Sequence, residues 1–268
     1  MSAQALISGD PVFPRWTCAR IFATARHLSE AEQVQFSQHG FVAPIRALTV
    51  DDCDSYRARI EQFVDDAIAA GSVSEVLRTK AHLRCPALLE LVRVPTIVEP
   101  VADLLGPDLL CRSASVFLKE HGDPAYVAWH QDAAYWELDP PDVATAWVAL
   151  TESTNENGAL RVLPGSHRAP LFEHRVIDEP GNMLSRGQAI TASIDPARAR
   201  TLVLEPGEMS IHHVRLAHSS APNRSPYRRL GVAIRYVAAH VRKTGPRRDS
   251  AILVRGTDRF GHFDPDPE

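Results

Sequence analysis

Apolar and polar positions follow two rhythms along this chain, and the change from one to the other comes near Gly106. Before it, apolar residues recur at helical spacing. Ser29 can cap a helix whose first turn is acidic and polar, and Gly40 ends it. Phe41-Val42-Ala43 then reads as a strand, and Tyr56, Ile60, Phe63, Val64 and Ala67 mark a second helix from about Val50 to Ala70. A third, about Pro86 to Leu105, is interrupted near Pro95. Residues 1–27 lack periodicity and are expected to form an extended arm or irregular lead-in.

After Gly106 short β-type runs separated by turn signals take over. They are Leu109-Leu110-Cys111, Ala114 to Leu118, Ala144 to Leu150, Leu160-Arg161-Val162, Thr201 to Leu204, Ser210-Ile211-His212 and Leu230 to Val237. Many short strands with long excursions predict a mainly β jelly-roll with flanking helices, two sheets closing over a pocket. The excursion 168–200 is long enough to serve as a binding loop or lid. Beyond Arg242 the tail is charged, with Ile252-Leu253-Val254 and Phe260-Gly261-His262-Phe263 able to dock.

Composition narrows the class only modestly. The length of 268 residues is expected to form one domain, with a helical part at about 28–105 and a jelly-roll core at about 106–240. A net charge of −4 gives no reason to expect nucleic acid or a membrane surface as partner, and no apolar run is long enough to span a bilayer. The start of the chain lacks the basic-then-apolar layout of a signal peptide. Cys18, Cys53, Cys85 and Cys111 are scattered without a Cys-x-x-Cys pair, which fits a cytoplasmic protein with reduced thiols.

The candidate chemistry sits in Trp129-His130-Gln131-Asp132. On a strand, His-x-Asp sets an imidazole and a carboxylate on one face. A later histidine, His218, can supply a third ligand, and two histidines with one carboxylate form the facial triad of non-haem Fe(II) oxygenases. A lone His-x-Asp is common by chance and is ordinarily a surface pair in a loop, so the surroundings matter. Eleven residues after His218 comes Arg229, whose guanidinium suits a bidentate grip on a carboxylate. Ser220 shares the face of His218 in an extended segment.

These pieces resemble the phytanoyl-CoA dioxygenase (PhyH) family of Fe(II)/2-oxoglutarate-dependent oxygenases. The matching stretches are Trp129-His130-Gln131-Asp132, Asn157-Gly158-Ala159-Leu160-Arg161-Val162-Leu163-Pro164-Gly165-Ser166-His167, and Pro206-Gly207-Glu208-Met209-Ser210 leading to His218 and Arg229. They fall in the family's order across roughly residues 28 to 237. The resemblance implies a double-stranded β-helix (cupin-like), with His130, Asp132 and His218 as iron ligands and Arg229 and Ser220 on the far carboxylate of 2-oxoglutarate. It also implies use of O2, with hydroxylation of an unactivated C–H bond of a small-molecule metabolite as the default outcome. Asp132 disfavours halogenation, which in related enzymes needs a small residue there. Two other readings stay open: a hydrolase or isomerase using zinc or manganese in the same fold, and a ligand-binding relative without catalysis.

The remaining polar and aromatic residues divide as follows. His212 is the fallback third ligand, and strand alternation turns one of His212 and His213 away from the metal. His167 is expected to hydrogen-bond a loop, and His121 and His174 to lie in loops, His174 within reach of substrate. Trp129 and Trp147 read as packing residues; Tyr135 and Trp136 read as the pocket mouth. Arg186 and Gln188 in the insertion, and Lys119 (one of three lysines), are the candidate substrate contacts, with a surface position the alternative for Lys119.

Overall fold

A computed structural model describes residues 27–177, 179–184 and 188–267. Its first part is helical. Helix α1 (Glu30–His39) begins with a reciprocal cap: the Ser29 hydroxyl accepts from the Glu32 N–H, and the Glu32 carboxylate accepts from the Ser29 N–H at 2.8 Å. Gly40 ends it at φ 82°, a left-handed conformation suited to glycine. Strand β1 (Phe41–Arg46), helix α2 (Val50–Ala69) and helix α3 (Val73–Arg78) follow. The expected interrupted helix is two helices, α4 (Pro86–Leu91) and α5 (Pro95–Leu105). Proline at the first turn of each, and the extended backbone it imposes on the residue before, account for the break.

The β part runs β2 (Leu109–Lys119), β3 (Val127–His130), the short helix α6 (Ala133–Trp136), β4 (Leu138–Asp139), β5 (Val143–Ala149) and β6 (Leu160–Val162). Then come β7 (His174–Val176), β8 (Gln188–Ile190), β9 (Arg200–Leu202), β10 (Glu208–His213), β11 (His218–Ser220) and β12 (Arg229–Ala238). Strands β13 (Arg242–Lys243), β14 (Ser250–Arg255) and β15 (Asp264–Pro265) complete it. The architecture is a double-stranded β-helix. Its major sheet has the order β1-β10-β5-β12-β2-β14-β15, and its minor sheet β3-β11-β6-β9. The runs Leu109–Cys111 and Ala114–Leu118, expected as two strands, are one continuous strand.

Period-two alternation on the major sheet decides what faces what. On β12, Leu230, Val232, Ile234 and Tyr236 enter the core beneath the helices, against Ile60, Val64, Leu88, Ile97 and Val101. Their alternates Arg229, Ala233 and Arg235 line the cavity between the sheets. The buried Tyr236 hydroxyl finds a partner by donating to the Val92 carbonyl at 2.9 Å. The tail docks through β14 and through Phe263, which is buried, while Phe260 stays exposed. Among the described residues, no helix is long and apolar enough to cross a membrane.

Candidate active site

The cavity between the sheets measures about 340 Å³. His130 ends β3 and His218 begins β11, and the two are register partners across that antiparallel pair. Their rings stand 4.0 Å apart, centroid to centroid. Asp132 arrives differently from the strand geometry expected of it. The strand stops at His130, and Asp132 has helical backbone angles (φ −56°, ψ −35°) at the entry to α6. The turn, rather than strand alternation, brings its Oδ1 to 3.6 Å from His130 Nε2. One ligand atom from each of the three residues lies within 4.8 Å of the others, and all three are buried.

The imidazoles are presented for coordination. His130 Nδ1 bonds the Ala128 carbonyl at 2.9 Å, and His218 Nδ1 bonds the Leu216 carbonyl at 2.9 Å. With Nδ1 donating, Nε2 is left as the lone-pair nitrogen facing the cavity. Burial, reinforced by His130 and His212, holds His218 well below the usual histidine value and therefore neutral. Burial opposes ionisation of Asp132, but contact with His130 and the favourable electrostatics of the neighbouring imidazoles and Arg235 outweigh it, and the carboxyl is held well below its usual range. Two neutral nitrogens and one carboxylate oxygen on one side of a cavity fit a divalent metal of the iron type.

One end of the cavity is built for an anion. Arg229 is 2% exposed, yet among the described residues no carboxylate pairs with it. Its Nη1 donates to the Gly158 carbonyl at 2.5 Å, its Nε has no partner, and its guanidinium lies 5.2 Å from the Trp147 ring centre. Burial pushes it down to about 10, so it remains a cation. An uncompensated buried charge is costly, and a ligand carboxylate removes the cost. Ser220 Oγ donates to the same Gly158 carbonyl at 2.7 Å. Gly231 is required here, since a Cβ at that position would overlap the Trp147 indole. Arg228 points the other way, into ion pairs with Asp65 and Glu120 at the surface.

Lys119 is neither on the surface nor on the cavity wall. It is fully buried behind Ser220, donating to Ser220 Oγ at 2.6 Å and to the Ala221 carbonyl. Burial first, and then the neighbouring Arg229 charge, push it down to about 6. It braces the Ser220 end of the site. Tyr135 and Trp136 do line the cavity. Gln188 contributes a carbonyl, which accepts from the Tyr135 hydroxyl at 2.6 Å. Arg186 falls outside the described residues, while its neighbours Met183 and Leu184 cover the cavity. The insertion contains an antiparallel pair, β7 with β8.

The other histidines separate clearly. His212 lines the cavity with its ring 4.7 Å from that of His218, whereas His213 turns outward beside Phe36 and His167. His167 bonds the Ser37 carbonyl at 3.1 Å, and His121 bonds the Ser225 carbonyl at 2.7 Å. His174 works from behind the site, where its Nε2 accepts from the Gln131 N–H at 3.0 Å. Gln131 itself faces away from the cavity, as expected although it lies just past the end of β3, and donates to the Arg215 carbonyl at 2.6 Å. Trp129 packs against Leu163, Ile190 and Ala217, as expected. Trp147 packs as expected too, against Ala149, Leu204 and Ala233, and its indole also lies under Arg229. Sequence reading also passed over Arg78, Arg112 and Arg235, which line the cavity. For Arg235 the two-residue alternation with Ala233 on β12 was the available signal.

The family model described as phytanoyl-CoA dioxygenase (PhyH) matches residues 36–231. A probable alpha-ketoglutarate-dependent hypophosphite dioxygenase of Stutzerimonas stutzeri is 34% identical over 174 residues, 63% of this chain and 60% of that protein. The chain thus spans less than two thirds of that relative. An L-proline trans-4-hydroxylase of Streptomyces griseoviridis is 26% identical over 76% of this chain and 84% of the enzyme. Among solved structures, the non-heme monooxygenase ThoJ in its apo form superposes with a TM-score of 0.78 at 36% identity, covering 88% of this chain and 87% of ThoJ.

Proposed function

This chain belongs to the phytanoyl-CoA dioxygenase family, and we propose that it acts as an Fe(II)- and 2-oxoglutarate-dependent oxygenase, hydroxylating an unactivated C–H bond of a small metabolite. One observation carries the reading: a buried His-Asp-His cluster shares its cavity with a buried arginine that lacks an acidic partner among the described residues. His130, Asp132 and His218 hold the metal, and Arg229 with Ser220 holds the far carboxylate of 2-oxoglutarate. Bound there, iron and 2-oxoglutarate supply the oxidising power that activates O2 and couples decarboxylation of the co-substrate to oxidation of a C–H bond.

The protein's own contribution is orientation and exclusion of water. The carbonyls of Ala128 and Leu216 fix the histidine tautomers. Gln131 and His174 tie the metal strand to the insertion, so the cover and the ligands are braced together. Met183 and Leu184 roof the cavity with apolar surface. A small substrate is supported by the cavity volume and by relatives whose names specify hypophosphite and proline. A cytoplasmic location is supported by the free buried thiols Cys53, Cys85 and Cys111. A zinc hydrolase or isomerase has no use for Arg229 at that depth, and a ligand-binding relative has no use for the triad.

The test is anaerobic addition of Fe(II) and 2-oxoglutarate, followed by O2. A visible metal-to-ligand charge-transfer band, then stoichiometric succinate, is the expected result. A protein that binds iron but forms neither the band nor succinate sinks the reading.

A further inference from the structure

Arg229 is not the end of the cationic lining. Six residues further along β12, on the same inward face and about 20 Å away along the backbone, stands Arg235. Both of its hydrogen bonds are made by Nη1, to Ser115 Oγ at 2.6 Å and to the Ala233 carbonyl at 3.3 Å. Its guanidinium lies 5.8 Å from the Trp136 ring centre and 6.0 Å from that of Phe117. The rings fix the plane of the group while Nε and Nη2 keep their protons free for another acceptor.

Charge is unbalanced at this end. Arg112 is neutralised by Asp249 at 2.6 Å. Among the described residues, no carboxylate lies within ion-pair distance of Arg235, or of Arg78, which sits 5.2 Å from the same Phe117 ring. Asp132 attracts Arg235 from further off, and in the loaded enzyme its charge is committed to the metal. Arg78 and Arg235 repel each other. The transverse row through Arg235 is polar throughout: Ser113 on β2, Thr145 on β5 and His212 on β10 are its successive register neighbours, and all face the cavity. Thr145 and His212 are each 2% exposed, and among the described residues Thr145 Oγ1 and His212 Nδ1 have no hydrogen-bond partner. Buried polar atoms without partners, beside an unpaired guanidinium, describe a site that a ligand completes.

We propose that the substrate is a small organic acid whose carboxylate or phosphonate is held by Arg235 with Thr145 and His212, its apolar remainder covered by Phe117, Trp136 and Met183. This rests on the oxygenase reading and extends it to the class of substrate. The two ends of β12 then divide the acids between them: Arg229 takes the co-substrate, and Arg235 takes the substrate. Lysine lacks the planar fork that meets an oxoanion with two parallel bonds, so it replaces Arg235 only in part.

The experiment uses anaerobic protein loaded with Fe(II) and 2-oxoglutarate, titrated calorimetrically and by its charge-transfer band. The probes share one benzyl skeleton: phenylacetate, benzylphosphonate, phenylacetamide and phenethylamine. Wild type is expected to bind at least one acid about thirtyfold or more tightly than the amide and amine; which acid binds distinguishes carboxylate from phosphonate. Arg235→Gln removes the preference, Arg235→Lys keeps part of it, and the 2-oxoglutarate band is unchanged in both. Acid binding unaltered in Arg235→Gln with the band intact overturns the proposal. So does a wild type that forms the band but shows no preference for either acid. If Arg235→Gln does not fold, Arg235→Lys carries the comparison. If wild type forms no band, the oxygenase reading fails, and the same titration of metal-free protein decides on Arg235 separately.

Discussion

The two ends of β12 carry the same side chain in two different settings. At Arg229 the surroundings are closed: the guanidinium lies over Trp147, bonds the Gly158 carbonyl, and shares that acceptor with Ser220. At Arg235 the guanidinium is held by Ser115 and two aromatic rings, and it opens onto unpartnered polar atoms and the apolar cover. A co-substrate that never changes can be met by a rigid fork and a glycine cut to fit an indole. A substrate that differs from enzyme to enzyme is met by side chains on the same scaffold that can be exchanged without disturbing the first end. His130 and His218 belong to the opposite, minor sheet and Asp132 to the turn after β3, so neither arginine has to bend to make room for them.

The comparison breaks most visibly if the metal cluster between the two ends is misassigned. His130→Ala, Asp132→Ala and His218→Ala are each expected to abolish stoichiometric iron binding, measured by metal analysis after anaerobic loading. His212→Ala is expected to keep iron, because its ring stands beside His218 outside the cluster. Iron retained by His218→Ala and lost by His212→Ala would exchange their roles.

Next in size is the closed end. Arg229→Ala is expected to weaken 2-oxoglutarate by roughly 2–5 kcal/mol, about thirtyfold to several thousandfold, with little change in iron affinity. Arg228→Ala, which loses only surface ion pairs, is the control and stays within about threefold. Equal losses at both positions would leave no ground for separating them.

Gly231→Ala sharpens the contrast between a fitted and an open end. The added methyl collides with Trp147, and overpacking of this kind costs about 1–3 kcal/mol in stability. Chemical denaturation measures the loss, and a weaker charge-transfer band at fixed 2-oxoglutarate shows that the indole has moved from under Arg229. Ala233→Gly, on the same face toward the open end, is expected to spare the band.

The smallest effect is electrostatic. Lys119 is pushed from the ordinary value of 10.5 to about 6. Between those values the unfolded chain holds a proton that the folded chain has shed, so stability against unfolding rises with pH across that window. Lys119→Met removes this titration, and denaturation midpoints collected from pH 6.5 to 9 are expected to show a flatter profile than wild type. An identical slope would mean that Lys119 stays charged behind Ser220.

Local rules carried much of this molecule. The Ser29 cap, the Gly40 stop, the proline breaks and the alternation along β5 and β12 depend on neighbours a few residues away, and they can be read from the chain. The cluster of His130, Asp132 and His218 was legible because the residue types and their order match one coordination chemistry, even though Asp132 reaches the cluster through a turn and not along a strand. Tertiary structure alone decided the rest. Trp147 reads as core, which it is, but only the adjacent strand shows that Gly231 leaves room for its indole under Arg229. Lys119 reads as a substrate contact, or else a surface lysine, until pairing of β2 with β12 sets it opposite Arg229 and behind Ser220. Arg235 reads as one more arginine until the row across β2, β12, β5 and β10 sets it beside Ser113, Thr145 and His212. The reason is physical: a sequence specifies which face of its own strand a residue takes, whereas cross-strand register, fixed by the packing of the whole sheet, specifies what that residue meets there.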